Sequence, residues 1–451
     1  MSQKPASEPR FTYSLAQLQE MSEGVLRLAK TAGATAAEAE INLGFGQNVS
    51  VRMGETETIE YSRDKGMSVS AYFGQQKGHA STTDLSPQAL QDTVAAACNI
   101  ARYTAQDEYC GLADASLLAR DIPDLDLHHP WSFSVEQAIE LAHACEAAAL
   151  EVDTRITNSE GAGVSTYEGM FAYANSHGFS AGYPSSRHGI SCSVIAEDGD
   201  SMQRDYWYSS ARCADDLDSA HFVGRLAGER TVRRLGGGRV KTAQVPVLFE
   251  APVASGLISH LVSAISGGNL YRKSSFLLES LGKQVLAPCV SIFERPHLMR
   301  GLASAPFDNE GVATKERELV ADGVLQGYML SSYSARKLGM TTTGNAGGNH
   351  NLLVSHGELD LHGLLKTMGT GLLVTELLGH GINLVTGDYS RGAAGFWVEN
   401  GVIAYPVEEI TIAGNLREMF MQIVAVGNDV LVQGSKQTGS ILIERMTVAG
   451  E

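Results

Sequence analysis

An α+β fold in two parts is what this sequence predicts: an α/β-type N-terminal half with helices on a mixed sheet, followed by a β-rich C-terminal domain. Three observations carry it. Helix and strand signals alternate through the first half; Gly236-Gly237-Gly238 then breaks the chain; and beyond it the strongest strand signals gather around an Asn400-Gly401 turn. A chain of 451 residues exceeds one ordinary core. The expected segments are an N-terminal α+β domain (1–125), a middle α+β domain with short antiparallel strands (126–238) and a β-rich C-terminal domain (239–451).

Each element has a local reason. Ser14 and Gln17 form a capping box ahead of Leu15, Leu18 and Val25, and Gly33 ends that helix. Met67, Val69, Ala71 and Phe73 alternate with Ser68, Ser70 and Tyr72 as a half-buried strand. Ser86-Pro87 opens a helix carrying Leu90, Val94, Ala97 and Ala101. Asp121 to Pro130 reads as a linker, after which Ser134 and Gln137 box a third helix. Thr157 to Ser210 reads as antiparallel strands, and a helix around Asp216 to Leu235 follows. Further on, Ala254, Leu257, Ile258, Leu261, Val262 and Ile265 make one apolar stripe, stopped by Gly267-Gly268. Asn400-Gly401 between Phe396-Trp397-Val398 and Val402 to Tyr405 is a hairpin signal.

Composition excludes several classes. A net charge of -17 argues against a nucleic-acid surface, and the densest basic run, Arg225 to Lys241, is broken by Glu229 and three glycines. Six cysteines, no two closer than twelve positions, make neither a Cys-x-x-Cys knuckle nor a redox motif and read as reduced thiols. The start MSQKPASEPR has no apolar core of a secretory signal. The uncharged run Ala251 to Tyr271 is too polar for lipid. The expectation is a cytoplasmic protein with neither nucleic acid nor membrane as partner.

Chemistry-bearing residues are few. Ser255, Ser259 and Ser263 recur every fourth residue and read as packing. His260 reads as a satisfied core residue. Asp388, Ser390 and His380 could spell a triad, but no Gly-x-Ser-x-Gly elbow frames Ser390. Glu408-Glu409 point to opposite faces of a strand unless the backbone bulges. Two loops could meet a ligand: Thr386 to Arg391, with Asp388, Tyr389, Ser390 and Arg391, and the glycine-rich Thr341 to Asn351, with Asn345 and Asn349. No Walker lysine accompanies the second, and no histidine is followed by Glu, so the zincin dipeptide is absent.

The block from Gly381 to Phe420, with Tyr333 to Gly339, Pro306 to Gly311 and Tyr271 to Ser275, closely resembles the PmbA/TldE proteins, the second subunit of the TldD/TldE peptidase system. The older label of that family is modulator of DNA gyrase. The resemblance spans roughly the full length, densely after Val245, and implies a peptidase-like C-terminal domain. It implies that the catalytic relatives carry His-Glu-x-x-x-His on the helix matching residues 254–265, with a cysteine near the C-terminus as third zinc ligand. In this chain Ile258, Ser259 and Ser263 stand for the motif and Thr438 for the cysteine. Neutral serines are poor zinc ligands and isoleucine has no donor atom.

The expected chain therefore has no cofactor, and zinc belongs to a TldD-like partner only. Its function is that of the non-metal-binding subunit of a TldD/TldE-type zinc metalloprotease on unfolded peptides, as in leader-peptide processing or antitoxin turnover. A homodimer of the isolated chain is a further expectation. The alternatives are a regulatory protein of the gyrase-modulator type and a self-sufficient hydrolase using Asp388, Ser390 and a histidine.

Overall fold

Local capping starts the helices, and long-range strand pairing does the rest. The computed structural model describes residues 10–450; the stretch on which the secretory signal was judged lies almost wholly outside them. The N-terminal half comprises α1 (Leu15–Thr31), β1 (Ala36–Arg52), β2 (Glu55–Phe73), β3 (Gln76–Thr82), α2 (Pro87–Tyr103), α3 (Val135–Leu150), β4 (Ile156–Asn175), β5 (Ser180–Asp198), β6 (Ser201–Ala211) and α4 (Ala220–Val232). Both expected capping boxes form, at Ser14 with Gln17 and at Ser134 with Gln137.

These strands make one six-stranded sheet in the order β3-β2-β1-β4-β5-β6, so segments 1–125 and 126–238 share a single sheet. Every pairing in it is antiparallel, and the mixed sheets lie in the C-terminal domain. β4 and β5 run 20 and 19 residues, longer than their short alternating runs suggest. Helices α1 and α2 cover one part of the sheet through Leu18, Val25, Val94 and Ala97. Helices α3 and α4 cover the other through Ala142, Cys145, Val223 and Ala227. A fully buried Leu or Val contributes about 1.5–3 kcal/mol, so these faces fix the helices firmly.

The expected linker is packed rather than free. Leu125 and Leu127 are buried, Leu127 O accepts from Ser186 N at 2.9 Å, and Leu125 O accepts from Arg300 N of the C-terminal domain at 2.9 Å.

The C-terminal domain comprises β7 (Ala243–Phe249), α5 (Ala251–Ala264), α6 (Gly267–Tyr271), β8 (Ile292–Arg295), β9 (Arg317–Ala321), β10 (Val324–Leu325), α7 (Ser332–Lys337), β11 (Asn351–Val354) and α8 (Leu361–Met368). It continues with β12 (Gly371–Leu378), β13 (Asp388–Glu399), β14 (Val402–Asn415), α9 (Leu416–Met421), β15 (Ile423–Val426), β16 (Lys436–Gln437) and β17 (Ile441–Ala449). Strands β14-β13-β12-β7-β17 close on themselves through a β14–β17 pairing, giving a barrel with β15 alongside. Val247 and Phe249 cluster with Leu257, Ile258 and Leu261 of α5, while Leu248 between them clusters with Leu364 and Leu365 of α8. The hairpin at Asn400-Gly401 forms as expected. Gly267 opens a second short helix rather than merely ending α5.

Two polar clamps join the halves. From α7, Arg336 donates to the carbonyls of Tyr109, Gly111 (3.1 Å) and Leu112 (2.6 Å), and Tyr333 OH donates to Asp107 at 2.7 Å. From the end of α4 and the turn after it, Arg230 and Arg233 reach Glu250 at 2.9 and 3.1 Å, and Arg234 reaches Glu376. Three arginines of the densest basic run are thus engaged in contacts between the halves.

Candidate functional site

Helix α5 carries the site in question, and its two faces differ. Leu257, Ile258 and Leu261 are buried in the barrel core, whereas Ser255 and Ser259 are half-buried on the opposite side and Ser263 is exposed. At about 100° per residue, Ser259 and Ser263 lie about 40° apart and Ile258 falls about 100° from Ser259. The serine hydroxyls turn back on their own helix: Ser259 Oγ donates to Ser255 O at 3.0 Å and Ser263 Oγ to Ser259 O at 2.9 Å. Thr438 is buried, its hydroxyl donating to Gly439 O at 3.0 Å.

The block Thr386 to Arg391 is largely strand rather than loop. Asp388 through Arg391 open β13 and pair with Asn415 through Ile412 of β14. The reason is close backbone approach, which composition hides. A Cβ on Gly381 would lie 1.7 Å from Ser390 O, and one on Gly395 would lie 1.9 Å from Leu373 O. Alternation then sorts the side chains. Asp388 and Ser390 face solvent, and Asp388 accepts from Thr386 Oγ1 at 2.6 Å and Asn415 Nδ2 at 3.2 Å. No hydrogen bond among the described residues joins Ser390 Oγ to His380 or Asp388, and the triad reading has no geometry behind it. Tyr389 turns inward, 1% exposed, its ring edge-on to His260 at 6.0 Å. Its hydroxyl lies near the Arg391 guanidinium without reaching hydrogen-bond geometry, and burial pushes it up to about 12. Burial, helped by the Arg391 charge, holds His260 below the ordinary imidazole range.

The glycine-rich loop delivers its two asparagines differently. Asn345 is buried, donating to Glu294 at 2.7 Å and accepting from Arg317 at 2.9 Å, so its amide is not available to a ligand. Glu294 also takes His350 N (3.0 Å), His350 Nδ1 (3.1 Å) and Arg317 Nε (2.7 Å). Burial alone would raise this carboxyl; the hydrogen bond from His350 and the Arg317 charge overcome it and bring it to about 2. Asn349 is half-buried and donates to His350 O at 2.6 Å. The backbone does bulge at Glu408-Glu409, but Glu408 meets Gln203 and Glu409 meets Arg239, so the two carboxylates share no proton.

Three family domain profiles match in order: PmbA/TldA metallopeptidase domain 1 over residues 37–101, the central domain over 128–235 and the C-terminal domain over 242–450. The chain belongs to the PmbA/TldD metallopeptidase family. A relative named metalloprotease PmbA, from Escherichia coli O157:H7, is 51% identical over 92% of this chain and 92% of its own length. Among solved structures, a protein from Bacteroides thetaiotaomicron described as a candidate modulator of DNA gyrase superposes with TM-score 0.90 and 29% identity, covering 96% of this chain and 99% of its own. TldE from Thermococcus kodakarensis has the same fold, with TM-score 0.83 and 20% identity over 95% of this chain and 100% of its own.

Within this PmbA/TldD fold, the residues at the three ligand positions and at the glutamate position do not fit a zinc site. One is core aliphatic, two hydroxyls are bonded to helix carbonyls and the fourth is buried on a neighbouring carbonyl. Among the described residues no group of three or more His, Cys, Asp or Glu is placed to hold a metal ion.

Sequence reasoning missed a cavity of about 480 Å³ between the N-terminal sheet and the C-terminal domain. Its polar lining is mutually satisfied: Glu38 accepts from Tyr72 (2.8 Å), Tyr173 (3.0 Å) and Lys77 (3.1 Å). It also missed a groove along the outward face of α5, which joins cavities of about 220 and 470 Å³. The only sequence signal for that groove is the serine repeat, whose small side chains leave the space. No helix among the described residues is long and apolar enough to cross a membrane.

Proposed function

We propose that this chain is the metal-free subunit of a heteromeric PmbA/TldD-type peptidase. A TldD-like partner supplies the zinc, and unfolded peptide is held between the two chains. The observation that carries the reading is the state of α5: the helix and its barrel are built in full, while the metal-site positions hold Ile258, which has no donor atom, and Ser259, Ser263 and Thr438, whose neutral hydroxyls are turned onto backbone carbonyls and are poor zinc ligands. In a zinc peptidase the metal polarises the scissile carbonyl and activates water, and no step of that kind is assigned to residues of this chain. Asp388, Ser390 and Asn349 serve as contacts to partner or substrate backbone. Six thiols with no disulfide among them fit a reducing compartment such as the cytoplasm.

The test is a peptidase assay on unfolded peptide with this chain alone, with a TldD-like zinc subunit alone and with both. Cleavage should need the zinc subunit, increase on adding this chain and stop with chelator. Chelator-insensitive cleavage by this chain alone would overturn the proposal. Sizing of the same samples separates a heteromer from a homodimer of this chain.

A further inference from the structure

The groove on the outward face of α5 lies between two strand edges. One wall is β6, the edge strand of the N-terminal sheet, through Tyr206, Trp207 and Tyr208; the other is Thr375 to Leu378 at the end of β12. β12 pairs with β7 only from Leu372 to Val374, because β7 gives way to α5 at Glu250. From Thr375 onward the β7 side of β12 has no strand partner, over four residues or about 13 Å. Thr375 sits at a bulge against β13, is 5% exposed and has a hydroxyl with no hydrogen-bond partner. A buried, unpartnered donor beside an open strand edge is a place where a ligand completes the hydrogen bonding.

The charges in the groove point to the same kind of ligand. Arg391 lines one cavity and Lys436 the other, and the two cavities share Tyr208, Pro252, Ser255 and Gln433. Neither cation has a carboxylate within ion-pair distance among the described residues. Arg204, Arg230 and Arg234 nearby are all paired. Two unpaired cations in one groove of a chain with net charge -17 are the complement of an anion. The floor is open as well: a Cβ on Gly256 would meet nothing within 4 Å.

We propose that this groove binds an extended peptide carrying a carboxylate, its backbone adding to β12 at Thr375–Leu378 and its carboxylate meeting Arg391 or Lys436. The carboxylate comes from an aspartate or glutamate side chain or from a peptide C-terminus. Binding resides in this chain by itself and holds whether or not a partner supplies zinc.

The experiment is fluorescence anisotropy on the isolated full chain with three labelled peptides of about eight residues: one with a central aspartate and an amidated end, one neutral with a free C-terminus, and one neutral and amidated. At least one carboxylate-bearing peptide should bind, at least tenfold tighter than the neutral amidated one (about 1.4 kcal/mol), and binding should weaken as salt rises. Which of the two binds identifies the source of the carboxylate. Arg391→Gln with Lys436→Gln should abolish that preference. Gly256→Leu should remove binding while leaving the melting temperature unchanged or higher, since leucine in a helix is more favourable than glycine. Equal binding of all three peptides, no binding by any, or full binding by well-folded Gly256→Leu would each overturn the proposal.

Discussion

Two polar regions of the C-terminal domain look alike in composition and differ in bonding. Around Glu294 the donors of Arg317, Asn345 and His350 converge on one buried carboxylate. Along α5, by contrast, Thr375 Oγ1 and Tyr389 OH are buried without partners, and among the described residues no carboxylate lies within ion-pair distance of Arg391. A polar group is costly to bury unbonded, so a saturated cluster holds structure while an unsaturated one is kept for something that arrives. The glycine-rich loop belongs to the first kind and the α5 groove to the second. That reverses the weight that Asn345 carries from sequence.

The comparison breaks most easily at Glu294. Glu294→Ala leaves Arg317 and His350 facing a buried gap and should cost about 3–5 kcal/mol in chemical denaturation, whereas Arg391→Ala should shift stability by less than about 0.5 kcal/mol. The opposite ranking would show that the knot is not structural. Acid provides the next test. The folded carboxyl titrates at about 2 against an ordinary 4.5. A depressed acid stabilises fully above its unfolded value, and that contribution fades as pH falls from about 4.5 to about 2. It is on the order of 3 kcal/mol, and Glu294→Gln should flatten this part of the stability–pH curve. A wild-type curve level across that range would refute the assignment.

Smaller effects follow at the clamps and the groove. Arg336→Ala removes three bonds to the 109–112 backbone and should cost about 2 kcal/mol, with faster hydrogen exchange confined to that segment. Exchange unchanged there would mean that α7 does not hold the halves together. Gly256→Leu should stabilise by about 0.5–1 kcal/mol. A clear loss of stability would show that the space above Gly256 is not open.

Legibility followed distance along the chain. Ser14 with Gln17, Ser134 with Gln137 and the Asn400-Gly401 turn were readable because their bonds span three residues or a single turn. Asn345 was misread because its partners Glu294 and Arg317 are 51 and 28 residues away. Asp388 to Arg391 looked like a loop because Gly381 and Gly387 flank it, and only the backbone contact at Gly381 explains that glycine within the fold. Arg230, Arg233 and Arg234 read only as part of an interrupted basic run, since nothing local announces Glu250 and Glu376 as their partners. The groove was least legible: it is made by what β7 stops doing at Glu250, and an unpaired strand edge leaves no mark on composition.

The central claim is that α5 keeps the frame of a metallopeptidase helix without its metal. Zinc content decides it: the purified full chain is incubated with excess zinc, passed through gel filtration and analysed by plasma mass spectrometry. The account predicts well under one zinc per chain. One tightly held zinc per chain, lost on Ser263→Ala or Thr438→Ala, would contradict it.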